Sequence, residues 1–191
     1  MPYPMQIIGY LIDACWLVFF VYWIANAFGN KKSIYKRQNP LLRIAVIILI
    51  VWAVSMISSS YQNMQIFPFT KAGQILGVAL CALGIAYAVW ARKILADNWS
   101  AWSTIKENQE LVQNGPYAIT RHPIYTGVIF AILGTFLAIV PTWLYLGFFI
   151  LCIIAFSFRI KKEERLMTQT FPQDYPAYKQ RVRWALIPYI F

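Results

Sequence analysis

Apolar residues fall along this chain in blocks too long for one face of a soluble domain, and polar stretches separate them. Crossing a ~30 Å hydrocarbon core takes about 20 apolar residues of helix, which sets the ruler for each block. Span one is expected over Ile7 to Asn26, span two over Leu41 to Ser58 and span three over Ala72 to Ala91. The run from Pro123 to Phe158 holds 36 residues without a charge, ~54 Å if all helix. That is too much for one span and enough for two short ones. Pro141, followed by Thr142, supplies the break, because proline has no N–H for the helix ladder. Spans four and five are therefore expected as a tight helical hairpin. The fold class is all-α integral membrane, with about five transmembrane helices.

The polar stretches differ in kind. Gly29 to Asn39 is a short basic loop, and Ser59 to Thr70 is polar and aromatic without a charge. Arg92 to Ile124 is too long for a simple turn, which marks it as a functional segment. Within it, Glu107 to Val112 is expected as a short helix that stops near Asn114-Gly115. The tail, Arg159 to Phe191, is basic and amphipathic, with a turn over Phe171-Pro172-Gln173-Asp174-Tyr175-Pro176 between two short helical pieces. Span three carries small residues at four-residue spacing, Gly73 and Gly77, then Gly84 and Ala88, which lets helix backbones approach closely in lipid. The natural division is into residues 1–91, a three-span region, and residues 92–191, with the polar loop, the hairpin and the tail.

Composition agrees with a membrane class: 60% hydrophobic, 17% aromatic and only 13% charged. The net charge of +10 suggests an anionic partner until its distribution is read. Sixteen of the 17 Lys and Arg residues fall on one side of a five-span arrangement, with Lys71 alone on the other. The positive-inside rule then puts the N-terminus outside, and the polar clusters and C-terminus in the cytosol. The compartment is the cell membrane for a prokaryotic source and the endoplasmic reticulum for a eukaryotic one. Charge therefore speaks for topology and lipid contact, and no nucleic-acid partner is expected. Met1 to Gln6 runs into span one without a basic leader, so no cleaved signal is expected. Asn98-Trp99-Ser100 faces the cytosol in this arrangement and is no glycosylation acceptor. Cys15, Cys81 and Cys152 lie in apolar runs and read as buried free thiols. With one histidine and no cysteine pair, a protein-built metal site is not expected. Asp13, inside span one, is either a functional carboxylate or an interfacial one that reaches water or a neighbouring helix.

The polar chemistry concentrates at two places that the hairpin brings to one membrane surface. One is Gly115-Pro116-Tyr117, leading to Arg121-His122-Pro123-Ile124-Tyr125-Thr126-Gly127, with the single histidine of the chain. The other is Arg159-Ile160-Lys161-Lys162-Glu163-Glu164-Arg165. Each alone has an ordinary reading: a cation anchored at the interface, a solvated helix end with paired charges, or aromatic-belt tyrosines. In this order and spacing they resemble the isoprenylcysteine carboxyl methyltransferase family, which is allied to membrane phospholipid methyltransferases. Glu110-Leu111-Val112, Gly115-x-Tyr117 and Arg121-His122-Pro123-x-Tyr125-x-Gly127 carry the resemblance. So do Glu163-Glu164-x-x-Met167, Phe171, Asp174-Tyr175-x-x-Tyr178, Arg181-Val182 and Pro188. It extends over roughly Trp90 to Pro188, and Phe171-Pro172 stands where the family more often has Phe-Gly.

The resemblance implies S-adenosylmethionine in a cytosolic pocket between the polar loop and the helix after the hairpin. Carried over by position, the cofactor contacts are Gln109, Glu110, Leu111 and Val112, then Tyr117, His122, Pro123, Ile124 and Tyr125, and finally Glu163. Arg159 matches the family's substrate-side arginine, and its i,i+4 spacing sets it on the same helix face as Glu163. The implied activity is methyl transfer to a lipophilic acceptor that enters from the bilayer. A carboxylate acceptor is favoured, with a phospholipid or other amine as the alternative. Residue chemistry agrees with such a site. A helix start at Pro123 offers N–H groups to a carboxylate, aromatic rings support a sulfonium, and Glu163 receives an amine or hydroxyls. Two other classes remain open at this point. Membrane sterol reductases carry a similar Arg-His-Pro-x-Tyr pattern and bind NADPH, and a helical scaffold or transporter needs no cofactor.

Overall fold

The computed structural model describes residues 3–26, 66–68, 70–98, 109–139 and 141–187; these form five α-helices and two 3-10 turns, with no β-strand among them. Helix α1 is Tyr3–Ala25, α2 Lys71–Leu95, α3 Pro123–Ile139, α4 Trp143–Thr170 and α5 Asp174–Arg181. The 3-10 turns are Ala96–Asn98 and Gly115–Ala118. Among the described residues α1, α2 and α4 are long and apolar enough to cross a membrane, and α3 is a shorter apolar helix of 17 residues. Span two, Leu41 to Ser58, lies outside the described residues.

The hairpin forms where the sequence puts it. Pro141 ends the run, and Thr142 takes an extended backbone and caps α4, its hydroxyl accepting the Tyr145 N–H at 3.3 Å. The Pro141 carbonyl, left over from the ladder, accepts the Ile66 N–H at 2.8 Å. Thr70 caps α2 in the same way, through the Gly73 N–H at 3.1 Å.

Helices α2 and α3 run antiparallel and touch backbone to backbone. A methyl group at Gly77 would stand 2.6 Å from the Gly134 carbonyl oxygen, and one at Gly84 would stand 2.5 Å from that of Gly127. Gly127 and Gly134 meet α2 just as closely, against Ala88 and Cys81. The stripe on α2 is thus Gly77, Cys81, Gly84 and Ala88, and on α3 Gly127, Ala131, Gly134 and Ala138. Both step by four and three residues, the left-handed seam period. Gly73, expected in this stripe, instead faces its own cap at Thr70. In lipid no hydrophobic effect drives helices together, so this close fit is what stabilises the pair.

Helix α1 closes over the pair. Ile12 is buried with Cys81, Ile85, Ala131 and Ala138, and the Trp16 indole donates to Thr135 Oγ1 at 3.0 Å. Asp13, on the neighbouring position, lies on the exposed side of α1. The three cysteines are free thiols, with Cys81 buried and the other two half-buried.

Helix α4 does not stop with the apolar run. It continues from Phe158 through the charged cluster to Thr170, 28 residues in all, ~42 Å against a ~30 Å core. The first of the two expected tail pieces is therefore the last three turns of span five. The expected turn is also shorter: Phe171–Gln173 make it, and Asp174, Tyr175 and Pro176 already form the first turn of α5. Proline is tolerated there because first-turn N–H groups have no partner within the helix. The polar loop departs from expectation as well. Residues 109–113 are not helical, while Glu107 and Asn108 lie outside the described residues. Asn98 Oδ1 takes the Glu110 N–H at 3.2 Å, and Leu111 packs on Tyr175, Tyr178 and Val182. Tertiary contacts here outweigh a weak local helix preference.

Candidate active site

After α5 the chain doubles back along the start of α3, and five successive carbonyls are taken up there. Arg121 Nη1 donates to Val182 O at 2.8 Å and to Arg183 O at 2.6 Å. The Arg121 N–H reaches Trp184 O at 3.0 Å and the His122 N–H reaches Ala185 O at 2.9 Å. Thr126 Oγ1 donates to Leu186 O at 2.6 Å. This strap fixes His122 by its backbone. The strap also takes the Arg121 and His122 amides, which stand just before the helix start. Pro123, which has no N–H, is fully buried under it.

The ring of His122 points between two carboxylates on α4. Nδ1 lies 3.6 Å from Glu163 Oε2 and Nε2 lies 3.6 Å from Glu164 Oε1. Adjacent helix residues point about 100° apart, so consecutive glutamates embrace a ring that enters between them. Glu163 Oε1 accepts from the Tyr125 hydroxyl at 2.7 Å and pairs with Arg159 Nε at 2.9 Å. Glu164 pairs with Arg121 Nε at 2.7 Å and with Lys179 Nζ, from α5, at 2.6 Å. The Tyr125 ring stacks between His122, with centroids 5.7 Å apart, and Phe156 at 4.9 Å. The Arg159 guanidinium carbon lies 5.6 Å from the Tyr125 ring centre. The apolar part of α4 ends at Phe158, so this cluster begins where the membrane-spanning part stops.

Charge and burial decide the protonation states. Burial works against the charge on Glu163, but His122, Arg159 and the Tyr125 hydroxyl outweigh it and hold the carboxyl at about 2. Glu164 is held at about 2 as well, against burial, by His122, Lys179 and Arg121. Burial disfavours the imidazolium of His122; Glu163 and Glu164 overcome this and raise it above the ordinary histidine value. Both carboxylates are charged at neutral pH.

The structure thus brings together His122, Tyr125, Arg159 and Glu163, with Tyr117 buried nearby and its carbonyl accepting the Tyr178 hydroxyl at 2.7 Å. Arg159 and Glu163, expected on one face with separate tasks, are joined in one ion pair. Gln109 and Leu111 sit to one side, against Met167 and α5; the Gln109 amide donates to Met167 Sδ at 3.6 Å. Val112 and Ile124 are half-buried, and the Glu110 side chain is exposed. The motifs do not single out Lys179 or, beyond Val182, the strap 183–186. The density of charge around Glu163-Glu164 was the available signal for the first, and main-chain acceptors leave no side-chain signature for the second.

A model of the phospholipid methyltransferase family matches residues 72–174, from the glycine stripe of α2 to the start of α5. The chain belongs to that family. Two curated proteins with a narrower name are similar to it. Protein-S-isoprenylcysteine O-methyltransferase of Saccharomyces cerevisiae is 31% identical over 128 residues, 64% of this chain and 53% of that one. Protein-S-isoprenylcysteine O-methyltransferase B of Arabidopsis thaliana is 34% identical over 77 residues, 40% of this chain and 39% of that one. Among solved structures, the eukaryotic intramembrane Ras methyltransferase, isoprenylcysteine carboxyl methyltransferase, matches with a TM-score of 0.61 and 25% identity. That match covers 80% of this chain and 55% of the other. The family resemblance read from the motifs is borne out, as is an all-helical membrane fold. The chain spans about half the length of the yeast relative and of the solved structure.

Proposed function

We propose that this chain is an S-adenosylmethionine-dependent membrane methyltransferase that esterifies the carboxylate of a lipophilic acceptor, as the isoprenylcysteine O-methyltransferases it resembles are named to do. One observation carries the reading: a half-buried cation and anion, His122 and Glu163, stand 3.6 Å apart beside the Tyr125 ring where α4 leaves the apolar zone. Such a pair fits a zwitterion, with His122 toward the donor's carboxylate and Glu163 toward its ammonium. Arg159, a third exposed, faces the acceptor carboxylate with a planar fork.

When bound, the donor supplies a methyl group on a sulfonium; transfer to a carboxylate oxygen forms the O–CH3 bond, breaks the C–S bond and leaves a neutral thioether. The residues have to align and dry the two partners. An acceptor that arrives ionised has no proton to lose, so neither Glu163 nor Glu164 has to act as a base. We assign this chemistry to residues 92–191 and the acceptor's membrane wall to residues 1–91. The acceptor enters from the bilayer and the donor from the cytosol.

The family model's own description supports a second acceptor, a phospholipid amine. The two readings separate in one assay. Purified protein is given methyl-labelled donor with either a farnesylated cysteine bearing a free α-carboxyl or vesicles of phosphatidylethanolamine. Label that is released as methanol by mild base, with the first acceptor only, is expected. Base-stable label on the vesicles would replace the carboxylate reading with the amine one.

The proposed orientation, N-terminus outside and site in the cytosol, rests on the sixteen cations that share one side. Lys71 and Gln180 are both exposed. In Lys71→Cys the thiol should react with an impermeant maleimide from outside only, and in Gln180→Cys from the cytosol only. Labelling of Gln180→Cys from outside would overturn the orientation.

A further inference from the structure

The zwitterion-matching pair needs His122 to be a cation, and Glu163 is not the only carboxylate beside the ring. Glu163 already answers Arg159 at 2.9 Å and the Tyr125 hydroxyl at 2.7 Å, and in the proposed reaction it also turns to the donor's ammonium. The second carboxylate, Glu164, pairs with Arg121 and Lys179. It lies on the far side of the imidazole, where Nε2 is buried and has no hydrogen-bond partner within reach. Glu164 is held there from two elements. Arg121, in the loop before α3, reaches it at 2.7 Å while gripping the strap carbonyls of Val182 and Arg183. Lys179, on α5, reaches its other oxygen at 2.6 Å.

The geometry points to Glu164 as a positioning residue: it keeps the His122 ring a cation and fixes it in place, so that His122 can serve a ligand carboxylate while Glu164 touches no ligand. The inference rests on the donor site proposed above for its use, but not for its test. Among the described residues, the charged and titratable groups around the ring are these. Helix α4 contributes Glu163, Glu164 and, through Glu163, Arg159. The loop contributes Arg121, α3 contributes the stacked Tyr125, and α5 contributes Lys179, with Tyr175 beside Glu164 and Arg121. The 3-10 turn contributes Tyr117, near Glu163 and Arg92. The two carboxylates are the only anions of this set at neutral pH, since the tyrosines are neutral. Burial alone would discharge the ring. Glu163 and Glu164 together prevent that, and Glu164 does so from the side of the ring away from the proposed donor contacts.

Because His122 is the single histidine of the chain, the test is direct. Histidine-selective isotope labelling gives one imidazole signal, titrated in detergent from pH 5 to 10 without any ligand. In the wild type the midpoint should lie above the ~6.5 of an unperturbed histidine. Glu164→Gln should lower it by about one to two pH units, the usual effect of losing an opposite charge at this range. Lys179→Met removes a cation from a position 41% exposed, buries nothing new, and should raise the midpoint instead. An unchanged midpoint in folded Glu164→Gln, or an unchanged or lower one in Lys179→Met, overturns the inference. Should Glu164→Gln fail to fold, Lys179→Met decides alone. A second arm reads the use of that charge. S-adenosylhomocysteine affinity should be flat between pH 6 and 8 in the wild type and should fall with rising pH in Glu164→Gln. A wild type that does not bind S-adenosylhomocysteine contradicts the donor site, and the imidazole titration then still settles the role of Glu164.

Discussion

Arg159→Lys is expected to lose about 100-fold in methyl-transfer turnover while its affinity for S-adenosylhomocysteine changes less than about threefold. The first figure corresponds to one or two hydrogen bonds between charged groups, about 3 kcal/mol together. A lysine keeps the positive charge near Glu163 and so preserves the ion pair that Arg159 Nε makes at 2.9 Å. What it loses is the planar fork that meets both oxygens of an acceptor carboxylate. Arg159→Ala is the less clean variant, because it also removes a partner of Glu163. Comparison of turnover and affinity in the Lys variant therefore separates a clamp on the acceptor from a cation that merely snorkels to the interface. Full turnover in Arg159→Lys would leave Arg159 an anchor and remove the main support for a carboxylate acceptor.

Gly134→Leu is expected to be the most damaging single change outside the cluster. Its first added carbon would stand 2.5 Å from the Gly77 carbonyl oxygen and against the Cys81 backbone, where neither helix has a side chain to move aside. Helices α2 and α3 must separate, at about 3 kcal/mol or more, the upper end for overpacking. The strap and His122 are mounted on the start of α3, so donor binding should fall along with thermal stability. Gly147→Leu is the internal control: nothing lies within 4 Å of a methyl group there, and stability should shift by no more than about 0.5 kcal/mol. Equal unfolding temperatures for the two variants in detergent would refute the backbone-contact account of the pair.

These two positions also show what a reader of the sequence can and cannot see. The break at Pro141 and the cap at Thr142 were legible because proline and threonine act locally, through a missing N–H and a hydroxyl. Gly77, Gly84 and Ala88 were legible as a close-packing stripe, but the matching stripe on α3 was not. Within an uncharged run a glycine or alanine looks like one more apolar residue until its partner helix is known. Spacing alone places Gly73 in the stripe, but it belongs to the cap. At the site, the motif residues His122, Tyr125, Arg159 and Glu163 were named from the resemblance, and the fold does gather them. The sharing of Glu163 by three partners was not legible, since spacing gives a helix face and not a rotamer. The strap was invisible for a simpler reason: every one of its acceptors is a peptide carbonyl, which any sequence supplies. The non-helical course of residues 109–113 has no local signal, because Leu111 is drawn into contact with Tyr175 and Tyr178, more than sixty residues later.

The most direct test of the donor site is a calorimetric titration of the detergent-solubilised full chain with S-adenosylhomocysteine and, separately, with NADPH. Saturable binding of the first and none of the second is expected. His122→Ala and Glu163→Ala should each weaken it by about 1–3 kcal/mol, roughly 5- to 150-fold, with the protein still folded. Saturable binding of NADPH with no response to S-adenosylhomocysteine, or undiminished S-adenosylhomocysteine affinity in both variants, would contradict the assignment of His122 and Glu163 to a methyl donor.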